Sequence, residues 1–143
     1  MRQTALTMAL AALLTTATAQ AQDISHWPDP KKNSPEKIEQ NIFFAENSTA
    51  VDERQALKVG YVAQWAAENP SATIVLTGYA DAATGRKRQN MAISERRAMA
   101  VKKALVSLGV DERRIVVDQK GALVQPFANN DDNRVVVMRA EAN

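Results

Sequence analysis

The stretch from residue 72 to residue 109 constrains the fold of this chain more than any other segment. Its first part, Thr73 to Leu76, is apolar and β-branched, which is typical of a strand that is covered on both faces. A loop of small residues that contains Asp81 follows and leads into a long, charged helix. Gly109 is the expected stop of that helix. Its apolar residues recur at the helical spacing, at Ala98, Val101, Leu105 and Leu108.

Two polar residues lie on the same face of this predicted helix. Asn90 and Arg97 are seven residues apart, which corresponds to two helical turns. Asp81 stands where the preceding strand ends. The segment therefore predicts an acid at a strand end close to an amide and a cation on the next helix.

The segment before this stretch predicts one strand and one helix. Ile42 to Phe44 indicates a buried strand, and Ser48 and Thr49 are expected to cap a helix with Asp52 and Glu53 in its first turn. Asn69-Pro70 ends the helix, because proline disfavours helical backbone in the residue before it. Its predicted apolar face consists of Leu57, Val59, Tyr61, Val62, Trp65 and Ala66. We expect Tyr61 and Trp65 in the core or at its edge, and not on a sugar-stacking platform.

Two further strand signals complete the chain. Residues 114–118 predict a third strand, which Gly121 ends, and residues 134–138 predict a last strand after a polar loop at 125–133. The order β-α-β-α-β-β indicates an α+β fold, a two-layer sandwich with both helices on one face of a four-stranded sheet. The sheet is expected to be partly parallel, because a helix joins each early pair of strands. The residues leave the strand order open.

The N-terminal 40 residues differ from the rest of the chain. Residues 1–21 predict a secretory signal peptide: Arg2 is the only charge, residues 5–14 are apolar, and Ala19-Gln20-Ala21 is a cleavage site. Residues 22–40 contain three of the five prolines and predict a leader or linker. The folded domain is then expected at 41–143. Export into the periplasm follows from this division.

The composition argues against most catalytic functions. The chain has no cysteine, which excludes disulfides and cysteine metal sites, and its net charge of +2 implies no nucleic-acid partner. His26 is the only histidine, and there is no phosphate-binding glycine loop, zinc-protease motif or nucleophilic serine elbow. The Asp81–Gly85 run offers one carboxylate, too few ligands for calcium. We therefore expect no enzyme activity, cofactor or metal.

The central stretch resembles the OmpA-like peptidoglycan-binding domain, which also occurs in MotB-type and peptidoglycan-associated envelope proteins. That family shows Gly-His-Thr-Asp after its second strand, then a glycine turn, an asparagine and Leu-Ser-x-Arg-Arg-Ala. This chain has Gly78-Tyr79-Ala80-Asp81, Gly85, Asn90 and Ile93-Ser94-Glu95-Arg96-Arg97-Ala98. More weakly, the similarity extends from Ile42 to Met138. It implies the mixed sheet of the family.

The resemblance also implies a binding site. In the family, the residues that match Asp81 and Arg97 bind the ammonium and the carboxylate of diaminopimelate in the wall stem peptide. Asn47, Asn90 and Arg134 match positions around the same pocket. Ala80 replaces a threonine, so its backbone would have to replace the lost hydroxyl, and Ala45 replaces an acid. We expect Asp81 and Arg97 at the edge of the core.

The prediction is therefore a non-catalytic, periplasmic, freestanding module that binds peptidoglycan, with an outer-membrane or other envelope protein as a further possible partner. Four alternatives stay open. Taken alone, Asp81 fits equally well as a residue that caps the helix or stabilises the loop, whereas Arg97 alone fits better as a solvated helix residue. The domain is alternatively a structural adaptor that has lost wall binding and docks on an envelope protein. An envelope hydrolase would need an acid/base pair that the sequence does not supply.

Overall fold

The computed structural model describes residues 34–143, and the predicted signal peptide at 1–21 lies outside the described residues. The predicted order β-α-β-α-β-β is confirmed. The elements are β1 (Lys37–Phe43), α1 (Glu53–Glu68), β2 (Ile74–Tyr79), α2 (Lys87–Ser107), β3 (Ile115–Gly121) and β4 (Val135–Glu141). Single-turn 3₁₀ helices precede β3 and β4, at Glu112–Arg114 and Asp131–Asn133. Within residues 34–143, no helix combines the length and apolar character needed to cross a membrane.

The four strands form one mixed sheet in the order β1-β4-β2-β3. The central strand β4 runs antiparallel to β1 and to β2, and β2 runs parallel to β3. Leu76 of β2 lies between Met138 of β4 and Val117 of β3. The predicted mixed sheet is confirmed, and the structure adds the order that the sequence left open.

Both helices pack on one face of the sheet and form the main core with it. Ala98, Val101 and Leu105 of α2 are completely buried, as predicted. Leu108 was expected in the same stripe, and this prediction is wrong. The helix ends at Ser107, so Leu108 is its C-cap and is exposed, and Gly109 follows with a φ of +95°.

Among residues 34–143, no helix packs on the second face of the sheet. The loop before β4 covers part of it, because Phe127 packs with Phe43 on a small cluster of Tyr79, Val135 and Val137. Val75 in β2 is 38% exposed on this face. The prediction that Thr73 to Leu76 is covered on both faces is therefore wrong.

Helix α1 begins and packs differently from the prediction. Asp52 is its N-cap and accepts a 2.9 Å hydrogen bond from the backbone N–H of Gln55, whereas the Ser48 hydroxyl accepts from Ala50. Capping by Ser48 and Thr49 is therefore wrong. Of the two acids predicted in the first turn, Glu53 is confirmed, whereas Asp52 is the cap; the helix end before Pro70 is confirmed.

The apolar face of α1 is narrower than predicted. Trp65 is buried, as expected, and its indole N–H donates to the carbonyl of Pro35. Tyr61 is 47% exposed and Leu57 is more exposed still, so placing them on the buried face was wrong. Only the side that carries Val59, Val62 and Ala66 reaches the core, because the second face of a helix that packs on one sheet remains in solvent.

The first strand begins earlier than predicted. Lys37 already pairs with Glu141, so residues 37–40 belong to β1 and not to the linker predicted at 22–40. The mismatch arises because this strand alternates, with Ile38 and Ile42 buried and polar residues between them. Its polar half resembles linker composition.

Candidate functional site

A pocket of about 370 Å³ opens where the loops after β1 and β2 meet the first turns of α2. Four of the six predicted site residues line it: Asn47, Ala80, Asn90 and Arg97. The other lining residues are Thr84, Gly85, Gln89, Ile93 and Arg96. Asp81 and Arg134 do not line the pocket, although they contact each other beside it. The structure therefore brings the predicted residues together in two adjoining groups.

Glycine 78 allows α2 to approach β2 closely at this point. A Cβ atom at Gly78 would lie 2.1 Å from the backbone oxygen of Ser94. The Ser94 hydroxyl is completely buried, accepts from the N–H of Gly121 at 3.1 Å and donates to the carbonyl of Met91. Ser94 therefore faces the packed side of its helix. The pocket thus stands on a rigid strand–helix contact.

Asn90 presents an amide to the pocket. Asn90 is 6% exposed, and its side chain forms no hydrogen bond with any of residues 34–143. Gly85, with a φ of +76°, passes so close that an added Cβ atom would lie 2.7 Å from the Asn90 oxygen. The Asn90 amide atoms are not among the buried polar atoms that lack a partner, and the residue lines the pocket, so this amide is available for a ligand.

Asn47 lies at the rim of the pocket. It is exposed and is the non-glycine residue of the described chain with a positive φ, 53°. Asparagine tolerates this left-handed backbone better than most residues. The turn therefore places a second amide at the pocket mouth.

Asp81 is enclosed by hydrogen-bond donors. One oxygen accepts from the backbone N–H of Thr84 at 2.8 Å and from the Thr84 hydroxyl, and the other accepts from Arg134 at 3.2 Å. Its side chain is 1% exposed. Burial acts to raise the pKa of Asp81, but the hydrogen bonds from Thr84 and Arg134 outweigh it and lower the pKa below 3.8. Asp81 is therefore a carboxylate at neutral pH.

Arg97 is held by backbone carbonyls. Its Nε donates to Ser48 at 2.9 Å, and its terminal nitrogens donate to Ala45 at 3.3 Å and Tyr79 at 3.4 Å. The guanidinium also lies 5.4 Å from the centre of the Phe44 ring. Within residues 34–143, one N–H on each terminal nitrogen has no acceptor and is available for a ligand.

Burial lowers the pKa of Arg97 to about 10, with the nearby Asp81 charge opposing the change and Arg134 adding to it. Arg97 therefore stays charged at neutral pH.

Asp81 and Arg97 are both about 99% buried, so the expectation that they lie at the edge of the core is wrong. The reason is that the loops after β1 and β2 close over them.

Arg134 connects Asp81 to the loop before β4. One terminal nitrogen donates to Asp81 and, at 2.9 Å, to Asp131, while Nε donates to the carbonyl of Phe44. Burial opposes its charge, yet the hydrogen bonds to Asp131 and Asp81 raise the pKa of Arg134 overall. Arg134 therefore holds the Asp81 carboxylate in place from outside the pocket.

The Ala80 backbone is engaged. Its N–H donates to Gly121 at 2.8 Å, and its carbonyl accepts from the Gln125 side chain at 3.0 Å. The N–H is therefore not free to replace the lost threonine hydroxyl, and this part of the Ala80 expectation fails. On the Ala80 backbone, only the second lone pair of the carbonyl oxygen remains for a ligand.

Thr84 and Arg96 are the site residues that the sequence analysis missed. Thr84 follows Asp81 by three residues, the arrangement in which an aspartate side chain accepts from the backbone of a turn. That spacing was the available signal. Arg96 lines the pocket and is exposed.

The arrangement is suited to binding. It combines two arginines and two asparagine amides that line the pocket with a buried carboxylate beside it, and within residues 34–143 no three His, Asp or Glu residues are grouped as metal ligands would be. A guanidinium with two free N–H groups matches a carboxylate, and a buried anion favours a nearby cation. The pocket therefore presents hydrogen-bond donors and positive charge, with the Asp81 carboxylate buried beside it.

Comparison with known proteins gives consistent relatives. The family model described as "OmpA family" matches residues 43–138. The chain is 38% identical over 115 residues to Outer membrane protein 40 of Porphyromonas gingivalis, covering 79% of this chain and 30% of that protein. It is 32% identical over 88 residues to a Peptidoglycan-associated lipoprotein of Rhizobium meliloti, covering 62% and 49%. The chain thus spans 30% and 49% of the lengths of these two relatives.

Solved structures show the same fold. The OmpA-like domain of FopA1 from Francisella tularensis superposes with a TM-score of 0.69 at 18% identity, over 74% of this chain and 73% of that one. The peptidoglycan-associated lipoprotein from Burkholderia pseudomallei gives 0.68 at 22% identity, over 71% and 90%. At these identities the match supports the architecture alone.

Proposed function

This chain belongs to the OmpA family, and we propose that it is a periplasmic, non-catalytic module that binds peptidoglycan through the diaminopimelate group of the stem peptide. The observation that carries the proposal is the Arg97 guanidinium, which lines the pocket with two N–H groups that have no acceptor among residues 34–143. The name of the Rhizobium relative points to the same ligand class.

Diaminopimelate ends in an ammonium and a carboxylate on one carbon. In the proposed complex, the free N–H groups of Arg97 donate to the carboxylate in two parallel hydrogen bonds, which lysine cannot supply. The Asp81 charge, behind Thr84, stabilises the ammonium. Asn90 and Asn47 bind the remaining amide and carboxylate groups.

The pocket is also pre-organised for this ligand. Arg97 is fixed by three backbone carbonyls and Asp81 by Thr84 and Arg134, so little side-chain freedom is lost on binding. Two charges held rigidly in a site of low solvent exposure interact more strongly with a ligand than the same charges in water. This is how a small pocket would retain a large polymer.

We place the module in the periplasm. Residues 1–21 form the proposed export signal, and the relatives named outer membrane protein support an envelope location. An outer-membrane or other envelope protein is a proposed further partner. Intact mass analysis of protein purified from the native envelope should show a mature N-terminus near Gln22, and an intact Met1 would contradict export.

Co-sedimentation with purified cell-wall sacculi tests the wall-binding proposal. The parent protein should sediment with sacculi, and Arg96→Ala, an exposed pocket residue, should weaken this. Arg113→Ala is the matched control, because Arg113 is 89% exposed and pairs only with Asp111 within the described chain. Failure of the parent to sediment would contradict wall binding.

A second candidate function is an adaptor domain that docks on an envelope protein without binding the wall. The observation that favours it is the enclosure of Asp81, whose two oxygens already accept from Thr84 and Arg134. The sacculus experiment separates the two, because an adaptor would stay in the supernatant.

A further inference from the structure

Thr84 stands between Asp81 and the pocket. The Asp81 side chain is 1% exposed and does not line the pocket, whereas Thr84 lines it together with Gly85. A ligand that enters the pocket as it stands therefore meets the threonine before the aspartate. This position indicates that Thr84 takes part in ligand binding, a role that the sequence pattern does not assign to it.

The direction of the Thr84 hydroxyl is fixed. An ionised carboxylate only accepts hydrogen bonds, so the hydroxyl must donate its single hydrogen to Asp81. The pKa of Asp81 is lowered, which keeps the carboxylate ionised at neutral pH. The Thr84 oxygen is left with lone pairs alone for any other partner. It can accept a hydrogen bond but cannot donate one.

Such an oxygen is a good acceptor for a cation. A hydroxyl that donates to a carboxylate is polarised, and chains of hydrogen bonds strengthen one another where water is excluded. Through the polarised hydroxyl, the negative charge of Asp81 favours a cation in the pocket, although the carboxylate itself stays buried. A ligand carboxylate would be repelled at this end of the pocket and attracted at the Arg97 end.

Resting on the proposed function, we propose that the Thr84 hydroxyl is the direct acceptor for the ammonium of the ligand, and that Asp81 acts behind it. Thr84 then determines specificity for a primary ammonium group. Asp81 sets the orientation and polarity of the hydroxyl. Arg134 holds the far oxygen of Asp81 in place.

The test is a titration of two soluble stem peptides, one with a free diaminopimelate ammonium and one with that ammonium acetylated. Thr84→Val removes the hydroxyl at nearly constant volume, and Thr84→Ser restores it. Thr73→Val is the matched control, since Thr73 is exposed at the opposite end of β2. Thermal unfolding of each variant accompanies the titration.

Thr84→Val should weaken binding of the free-ammonium peptide roughly tenfold to a hundredfold, the loss expected for one charge-assisted hydrogen bond. Thr84→Ser and Thr73→Val should bind as the parent does. The acetylated peptide should bind weakly to all four proteins with little difference among them. Unchanged binding by a folded Thr84→Val protein would overturn the proposal.

A second background separates direct contact from mere positioning of Asp81. If Thr84 contacts the ammonium itself, Thr84→Val should still weaken binding when Asp81→Asn is already present. If it acts only through the aspartate charge, the effect disappears in that background, and the proposal is overturned. A crystal structure of the parent complex gives the same decision without variants: the ammonium nitrogen about 3 Å from the Thr84 oxygen supports the proposal, and the same distance to an Asp81 oxygen overturns it.

Failure of the proposed function gives a distinct result. A parent protein that binds neither peptide overturns diaminopimelate binding, and the role of Thr84 with it. A parent that prefers the free-ammonium peptide, with Thr84→Val equal to it, overturns the role of Thr84 alone.

Discussion

Asn90→Ala should separate ligand binding from folding. Most polar groups of the pocket also hold the fold, as the carbonyl contacts of Arg97 show. Asn90 is 6% exposed as a residue, yet its side chain forms no hydrogen bond with residues 34–143. Removing the Asn90 side chain therefore breaks no hydrogen bond within these residues. The variant therefore tests the pocket with the least damage to the molecule that carries it.

The expected change in the free energy of unfolding is clearly smaller than the expected change in the free energy of ligand binding. Alanine is a better helix former than asparagine by up to about 0.7 kcal/mol, which offsets the small volume lost in α2. The free energy of unfolding should stay within roughly 1 kcal/mol of the parent value. Loss of an amide hydrogen bond to a charged ligand group costs about 1.5–3 kcal/mol, equivalent to tenfold or more in affinity.

Urea unfolding and calorimetric titration of a diaminopimelate stem peptide measure the two quantities. Asn143→Ala is the matched control, because Asn143 is exposed near the start of β2 and contacts Ser71. It should change neither quantity appreciably. An Asn90→Ala protein that binds as tightly as the parent would refute the placement of the ligand against α2. A protein destabilised by several kcal/mol would show that Asn90 has a structural partner.

Three other changes test what holds the site together. Arg97→Ala should lower the free energy of unfolding by roughly 2–5 kcal/mol, because it leaves backbone carbonyls, among them the buried one of Tyr79, without donors, whereas Arg113→Ala should leave it nearly unchanged; equal effects in urea would contradict this. Arg114→Ala should cost about 2–4 kcal/mol, since its guanidinium donates to three carbonyls around the end of α1; parental stability would contradict it. The pKa of Asp81 is lowered by folding, so its contribution is complete above the ordinary value of 3.8 and is lost as pH falls through the lower folded pKa. Unfolding measured against pH should show this acid loss in the parent and a smaller one in Asp81→Asn; identical acid profiles would contradict it.

The element order could be predicted because it depends on local patterns. The buried triplet of α2, Ala98, Val101 and Leu105, follows the helical period directly. Residues near element ends were less predictable. Leu108 matches the period but lies beyond the last helical residue, and Tyr61 belongs to an apolar set wider than the sheet can cover. Periodicity gives the buried side of an element and does not give its length or its neighbour.

The site could be predicted only in part, because its contacts join distant residues. Arg134 reaches Asp81 across 53 positions, and Arg97 donates to a carbonyl 49 positions away. No local pattern specifies such pairs. The resemblance located Asp81 and Arg97, but the enclosure of Asp81 depends on Thr84, whose role required the geometry of the turn. For the same reason the burial of both charges was missed.

We propose that this pocket recognises the zwitterionic end of diaminopimelate. The most direct measurement compares the affinity of the parent protein for two soluble stem peptides, one with diaminopimelate and one with lysine as the third residue. The lysine peptide keeps the ammonium and lacks the side-chain carboxylate, so it leaves the Arg97 N–H groups unpaired. We predict that it binds about tenfold to somewhat over a hundredfold more weakly, the equivalent of roughly 1.5–3 kcal/mol. Equal affinity for the two peptides would contradict the claim that Arg97 binds the carboxylate.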